Sequence, residues 1–207
     1  WAALPGALAA SVEEPELTLI EGELGAPRIV RAGRDRDRLA VPGGAYRLES
    51  SQEGRLDRLV LGSIDRARLE AGEVRVRVEA AGLGFRDVLL AMGLYPGEGG
   101  PIGSDFAGVV VEVGEGVDDR WVNDRVVGIG AGVFGTEVVT DVRRVASIPE
   151  GIDFAAAATI PVPFLTAIYG LKVLAGVRRG EKVLVHAATG GVGMAAVQLC
   201  RRWGVEV

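Results

Sequence analysis

The sequence is poor in the residues most used for redox, metal and stacking chemistry. Its 207 residues hold one cysteine, one histidine, two methionines and 5% aromatics. A lone Cys200 excludes an intrachain disulfide. One Cys with one His186 cannot assemble a Cys/His zinc cluster, so no metal is expected. No apolar run approaches the roughly 20 consecutive residues of a membrane span, and no membrane contact is expected. Charge of one sign is missing too. Twenty-three basic and 28 acidic residues are mixed along the chain at a net −5, without the basic face that nucleic-acid binding requires. A cytoplasmic, reducing compartment is expected. The apolar residues 1–10 lack a basic stretch ahead of them and read as a boundary inside a larger polypeptide rather than a signal peptide.

Glycine, by contrast, is abundant at 31 residues, and the hydrophobic share is 48%. Together they suggest β-structure with tight turns and places where backbone approaches a ligand. Residues 1–33 carry an apolar segment at 4–10 and strand-like runs at Leu17-Thr18-Leu19-Ile20 and Arg28-Ile29-Val30. Residues 34–44, with Arg34-Asp35-Arg36-Asp37-Arg38 and then Pro42-Gly43-Gly44, have linker chemistry. Over 45–152 short strands dominate. Val74, Val76 and Val78 alternate with Arg75, Arg77 and Glu79 as in a half-buried strand. Further apolar runs follow at 109–113, 126–127, 138–139 and 145–146. A helix is expected at 85–92, stopped by Gly93.

Composition shifts near residue 153. Helices are expected at 154–159 and 164–175, then a buried strand at 182–186. Val192, Ala195, Ala196 and Leu199 then recur at helical spacing until Gly204, and 205–207 opens another strand. This is the opening βαβ of a Rossmann domain. Between strand and helix stands Ala188-Thr189-Gly190-Gly191-Val192-Gly193. A diphosphate needs backbone N–H donors at close range, and a Cβ at the closest positions would hold it off. Ala188, Gly190 and Gly193 take the three fingerprint positions, with Ala in place of the first Gly. The alternative is a glycine-rich turn with no ligand. The residue that chooses NAD or NADP stands about 20 positions past such a loop, beyond Val207.

Several ordered motifs resemble the enoyl reductase domains of modular type I polyketide synthases, zinc-free members of the medium-chain dehydrogenase/reductase superfamily. They are residues 81–89 (AGLGFRDVL), 93–97 (GLYPG), 103–114 (GSDFAGVVVEVG), 161–170 (PVPFLTAIYG) and 183–199 (VLVHAATGGVGMAAVQL). Residues 1–33 resemble the end of the structural ketoreductase subdomain that precedes such domains. The resemblance implies a mixed α/β and β fold: a GroES-like β-barrel (45–152), then the start of an NADP-binding Rossmann domain (153–207). It implies NADPH as cofactor and an enoyl chain on the phosphopantetheine arm of an acyl carrier protein as substrate. Neighbouring ketoreductase and dehydratase domains are implied, with homodimerisation through the parent synthase.

By the same resemblance Tyr95 stands near the substrate α-carbon as the proton donor, since a phenol can protonate an enolate. The alternative is a turn tyrosine capping the barrel. Gly84 departs from the family's usual Asn, which removes one polar contact. Phe85, Arg86 and Asp87 remain pocket candidates, with a salt bridge as the alternative for the last two. Thr166 would approach the cofactor, or else bond its own helix carbonyl. Val162 and Phe164 would wall the nicotinamide pocket. His186 and Cys200 read as packing residues. The family's proposed Lys and Asp fall beyond Val207. Two other readings stay open: a free-standing quinone or enone reductase, which carrier-protein dependence would separate, and a non-catalytic fragment. As a truncated segment, the chain is expected to bind NADPH poorly unless another polypeptide completes it.

Overall fold

Successive side chains of an extended strand point to opposite faces, so the alternating valines of residues 74–78 should bury one face. In the computed structural model they lie in β5 (Glu73–Gly82), where Val74 and Val76 are fully buried. The structure describes residues 18–20, 23–25, 39–51, 54–97 and 99–207, and the chain divides into two compact units at Arg38/Leu39. In the first unit, β1 (Thr18–Ile20) and β2 (Glu23–Gly25) form an antiparallel hairpin with Leu19 opposite Leu24. The apolar segment at 4–10, the strand-like run at 28–30 and the charged 34–38 lie outside the described residues.

The second unit opens on an antiparallel hairpin, β3 (Tyr46–Ser50) with β4 (Leu59–Ser63). The main sheet follows. Strands β5, β6 (Asp105–Val113), β7 (Arg125–Ile129), β8 (Glu137–Asp141) and β9 (Val145–Ser147) pair antiparallel in the order β8-β5-β6-β7-β9. Where a barrel was expected, the ladders among the described residues do not close. The β3–β4 hairpin meets the approach to β8 through an Arg47–Gly135 bridge and a 2.7 Å bond from the Leu48 N–H to the Phe134 carbonyl. Register shifts in β5 at Arg75/Val76 and Val78/Ala80 bend the sheet around its core. That core is Val74, Val76, Phe106, Val110, Val126, Val133 and Val138.

Arg75 departs from simple alternation. It is only 4% exposed, because Glu112 on β6 (2.8 Å) and Glu137 on β8 (3.5 Å) cover its guanidinium from both sides. Strand β6 is buried on its other face as well. There Ala107 packs with Ile148, Ala157 and Ala158, and these small side chains let the helical half approach the sheet.

That half starts with α2 (Phe154–Ala157; α1 is Phe85–Ala91), whose first turn is capped by Asp153 accepting the Ala156 N–H at 2.7 Å. Helix α3 (Pro161–Ile168) has proline at its first position, where no N–H is needed, and runs into a π-helical turn at Tyr169–Leu174. Taken together, Phe154–Leu174 is 21 residues at mean hydropathy 1.6, long and apolar enough to cross a membrane by length and composition. This corrects the sequence reading, which counted unbroken apolar runs. The segment is not one rod. It breaks at residues 158–160, and Ala157, Ala158 and Ala167 are buried against the sheet and the last helix. Only 22% of its 18-residue apolar stretch is buried, and Leu165, Tyr169, Val173 and Leu174 are exposed.

The last helix is α4 (Gly191–Trp203), ended by Gly204 in the left-handed conformation (φ 70°). Ala195 and Ala196 pack on Ala167, and Cys200 packs on Val177 and Val205. The strands expected at 182–186 and 205–207 are reduced to a single parallel bridge between Lys182 and Glu206, and Leu184 is 81% exposed. A parallel strand exists through neighbours on both edges, and the described residues supply one bridge only.

Candidate functional site

Two glycines decide where the chain can come close to itself. A Cβ on Gly193 would collide with the carbonyl of Ala187, so only glycine lets α4 start tightly under the turn at 186–189. Gly190 and Gly191 are open: the nearest atoms to an added Cβ would be Ala187 O at 3.6 Å and Pro163 Cγ at 3.6 Å. The first N–H groups of a helix have no intrahelical partner and carry the positive end of its dipole. The loop therefore presents free donors and bare backbone, which fits a dinucleotide diphosphate. Thr189 and Gly190 are exposed on the turn. Ala188 faces a different cavity, with Val183, Val185 and Val197.

Beside this helix start lies a cleft of about 560 Å³. The β5–α1 connection contributes Gly82, Leu83, Gly84, Phe85, Arg86 and Asp87, and β6 contributes Asp105 after Ser104. The α2–α3 corner brings Ala158, Thr159, Val162 and Pro163, and α4 brings Gly191, Val192 and Met194. Gly82 makes the junction possible. A side chain there would strike the Ala158 carbonyl and stand 3.0 Å from the Asp105 Cβ.

Of the predicted site residues, Phe85, Arg86, Asp87, Val162, Gly191 and Val192 meet in this cleft. Asp87 is buried, and its two oxygens accept the N–H groups of Gly84 (2.8 Å) and Gly103 (2.9 Å). The first bond caps α1, which Gly84 starts without a side chain of its own. The second ties α1 to the loop that leads into β6. Asp87 is thus a backbone organiser rather than the salt-bridge partner of Arg86. The Arg86 guanidinium lies over the Tyr95 ring at 5.1 Å.

Tyr95 itself packs on Leu90, Ala91 and Ile102 and is not among the cleft-lining residues. Phe164 turns to the Ala167–Ala195–Ala196 cluster and Thr166 is exposed, so neither lines the cleft. The helical rotation of 100° per residue explains Phe164, which stands about half a turn round from Val162, while Thr166 shares the face of Val162 but sits a full turn further along, past the cleft. His186 is exposed and Cys200 is buried, its thiol pushed up by burial.

Sequence reasoning passed over Ser104, Asp105, Thr159, Pro163 and Met194. Asp105 is 5% exposed, and its Oδ1 accepts the Val162 N–H at 2.7 Å. Burial pushes its carboxyl up to about 6, opposed by the Val162 bond and helped by the nearby charge of Asp87. The signal was present: a carboxylate opening a strand whose next six residues are apolar, directly after Gly103 and Ser104.

With this geometry in place, the chain's likenesses take on meaning. The alcohol dehydrogenase GroES-like domain family matches residues 70–150. A phenolphthiocerol-synthesis type I polyketide synthase of Mycobacterium tuberculosis, named as inactive, is 48% identical over 210 residues. That match covers all of this chain and 13% of the relative. The CurK enoyl reductase structure aligns at a TM-score of 0.73 and 38% identity, over 78% of this chain and 52% of that one. A mycobacterial protein solved with NADPH aligns at 0.69 and 32%, over 77% and 51%. The chain thus spans about half the length of these solved relatives and a small part of the synthase. Over most of its own length it is similar to the enoyl reductases of modular polyketide synthases, and it carries the alcohol dehydrogenase GroES-like domain at residues 70–150.

Proposed function

We propose that the chain supplies the cleft of an NADPH-dependent enoyl reductase, which reduces the α,β double bond of an enoyl thioester carried by an acyl carrier protein. The observation that carries this is the position of the cleft. It opens where the GroES-like sheet and the glycine-loop helix meet, so one cavity touches both the phosphate-binding loop and the apolar wall formed by Phe85, Val162 and Met194. The likeness to a mycobacterial protein solved with NADPH supports the cofactor, and the likeness to synthases supports carrier-bound substrate and neighbouring ketoreductase and dehydratase domains.

In this reading the N–H groups of Gly191, Val192 and Gly193 hold the diphosphate, while Gly190, whose own N–H donates to the Ala187 carbonyl at 3.2 Å, leaves room for it. Phe85, Val162 and Met194 exclude water around the nicotinamide. When bound, the nicotinamide supplies the hydride that the enoyl β-carbon accepts. Tyr95 is the proposed proton donor to the α-carbon. It is joined to the cleft through Arg86, which lies over its ring and lines the cavity.

The test is NADPH oxidation by the full synthase polypeptide, with carrier-bound and pantetheine enoyl thioesters against free quinones. Turnover on the thioesters is expected. Turnover confined to quinones would replace this reading with a free-standing quinone reductase. Tyr95→Phe should slow reduction or change the α-configuration, and an unchanged rate and product would remove Tyr95 from the chemistry.

A further inference from the structure

The carboxyl of Asp105 is buried at the floor of the cleft and belongs to neither the glycine loop nor the residues assigned above to hydride or proton transfer. It sits at the start of β6, opposite Ile129 of β7 and Gly82 of β5 in the sheet register. From there it reaches across to the helical half. Its Oδ1 accepts the Val162 N–H at 2.7 Å, in the first turn of α3, where Pro161 has no N–H to give. The next residue, Pro163, lines the cleft together with Gly191 at the start of α4, so the path from the sheet runs through α3 to the edge of the glycine loop.

We propose that Asp105 is a positioning residue that, when ionised, fixes the start of α3 and thereby sets Val162 and Pro163 against the glycine loop for nucleotide binding. The proposal rests on the nucleotide-binding reading of the cleft. A carboxylate accepts an N–H more strongly than a neutral carboxyl or amide does. Protonation therefore loosens the α3 start, while an amide at this position keeps the contact at its weaker strength at every pH. The charged groups facing Asp105 are few. Asp87 acts on it from α1, Arg86 lines the same cavity, α3 carries no charged side chain, and its sheet partners are Ile129 and Gly82. With the carboxyl pushed up to about 6, the change falls near neutrality.

Two measurements test this. In the 207-residue chain, the Val162 amide resonance should titrate with a midpoint near 6 and should be flat over that range in Asp105→Asn. In the full protein, NADPH and NADH affinities of wild type and Asp105→Asn are compared from pH 5 to pH 8, which separates the titration of the 2′-phosphate from that of the protein. Wild type should bind several-fold more tightly than Asp105→Asn at pH 8, and the two should converge at pH 5. Asp105→Ala should lose roughly tenfold at pH 8. A Val162 titration that persists in Asp105→Asn, or parallel affinity profiles for the two proteins, would overturn the proposal. If neither nucleotide binds wild type, the cofactor reading fails while the Val162 titration still decides whether Asp105 governs α3.

Discussion

Asp105 carries the clearest residue-scale consequence for stability. In the folded chain its carboxyl titrates near 6, against 3.8 for a free one. The folded state therefore holds this proton more tightly than the unfolded state does. Its stabilising contribution is complete below the unfolded value and is lost as pH rises through about 6. At about 1.4 kcal/mol per pH unit, the loss reaches about 3 kcal/mol. Asp105→Asn cannot ionise and should gain stability relative to wild type as pH rises from 4 to 7, measured by thermal denaturation at each pH. A constant difference across that range would contradict the assignment. Gly193 makes a second residue-scale prediction. Because a Cβ there collides with Ala187 O, Gly193→Ala should cost about 2 kcal/mol by shifting the turn, and weaken NADPH binding about tenfold in a fluorescence titration.

At the scale of elements, two junctions depend on a single charged side chain each. Asp87 satisfies the backbone N–H groups of Gly84 and Gly103, and so joins the start of α1 to the approach to β6. Removing it in Asp87→Ala leaves two donors unpaired, with an expected cost of about 2 to 3 kcal/mol in urea denaturation. Arg75 bridges three strands under Glu112 and Glu137, and Oε2 of Glu137 has no hydrogen-bond partner of its own. Arg75→Ala should cost about 2 kcal/mol, because it leaves the largely buried Glu137 carboxylate with Arg66 alone at 3.5 Å, and Arg75→Ala with Glu137→Gln should recover part of the loss.

The same scale shows what the sequence could reveal. The valine alternation of β5, the glycine stops at Gly93 and Gly204 and the loop before α4 are local patterns, and the structure carries each of them. The strand expected at 182–186 is not local. Its apolar run is genuine, but a parallel strand is made by partners, and one bridge to Glu206 leaves Leu184 exposed. Arg75 was misread for the opposite reason: alternation gives the face of a residue but not the acids that neighbouring strands fold over it. Asp105, Thr159 and Met194 reach the cleft from three distant stretches of chain, and spacing along the sequence could not bring them together. The half-turn that takes Phe164 away from Val162, and the full turn that carries Thr166 past the cleft, became visible only once the cleft fixed which face pointed inward.

On the scale of the whole molecule, the account rests on one arrangement: a GroES-like sheet and a glycine-loop helix share a cavity, and Gly82 permits the close approach between them. Exposed Phe85 and the backbone of Gly191 and Val192 both line that cavity, the first offering an apolar surface and the second helix-start N–H donors. Such a cavity suits a long cofactor with an anionic middle and a reactive ring that must be kept from water. The most direct measurement is single-turnover reduction of a carrier-bound enoyl thioester by the synthase polypeptide, followed by nicotinamide absorbance, for wild type and Gly193→Ala. The account predicts NADPH consumption matched by saturated thioester in wild type, with a loss of about tenfold or more in the variant that tracks its weaker NADPH binding. Wild-type rates preserved in Gly193→Ala, or no NADPH consumption by wild type, would contradict it.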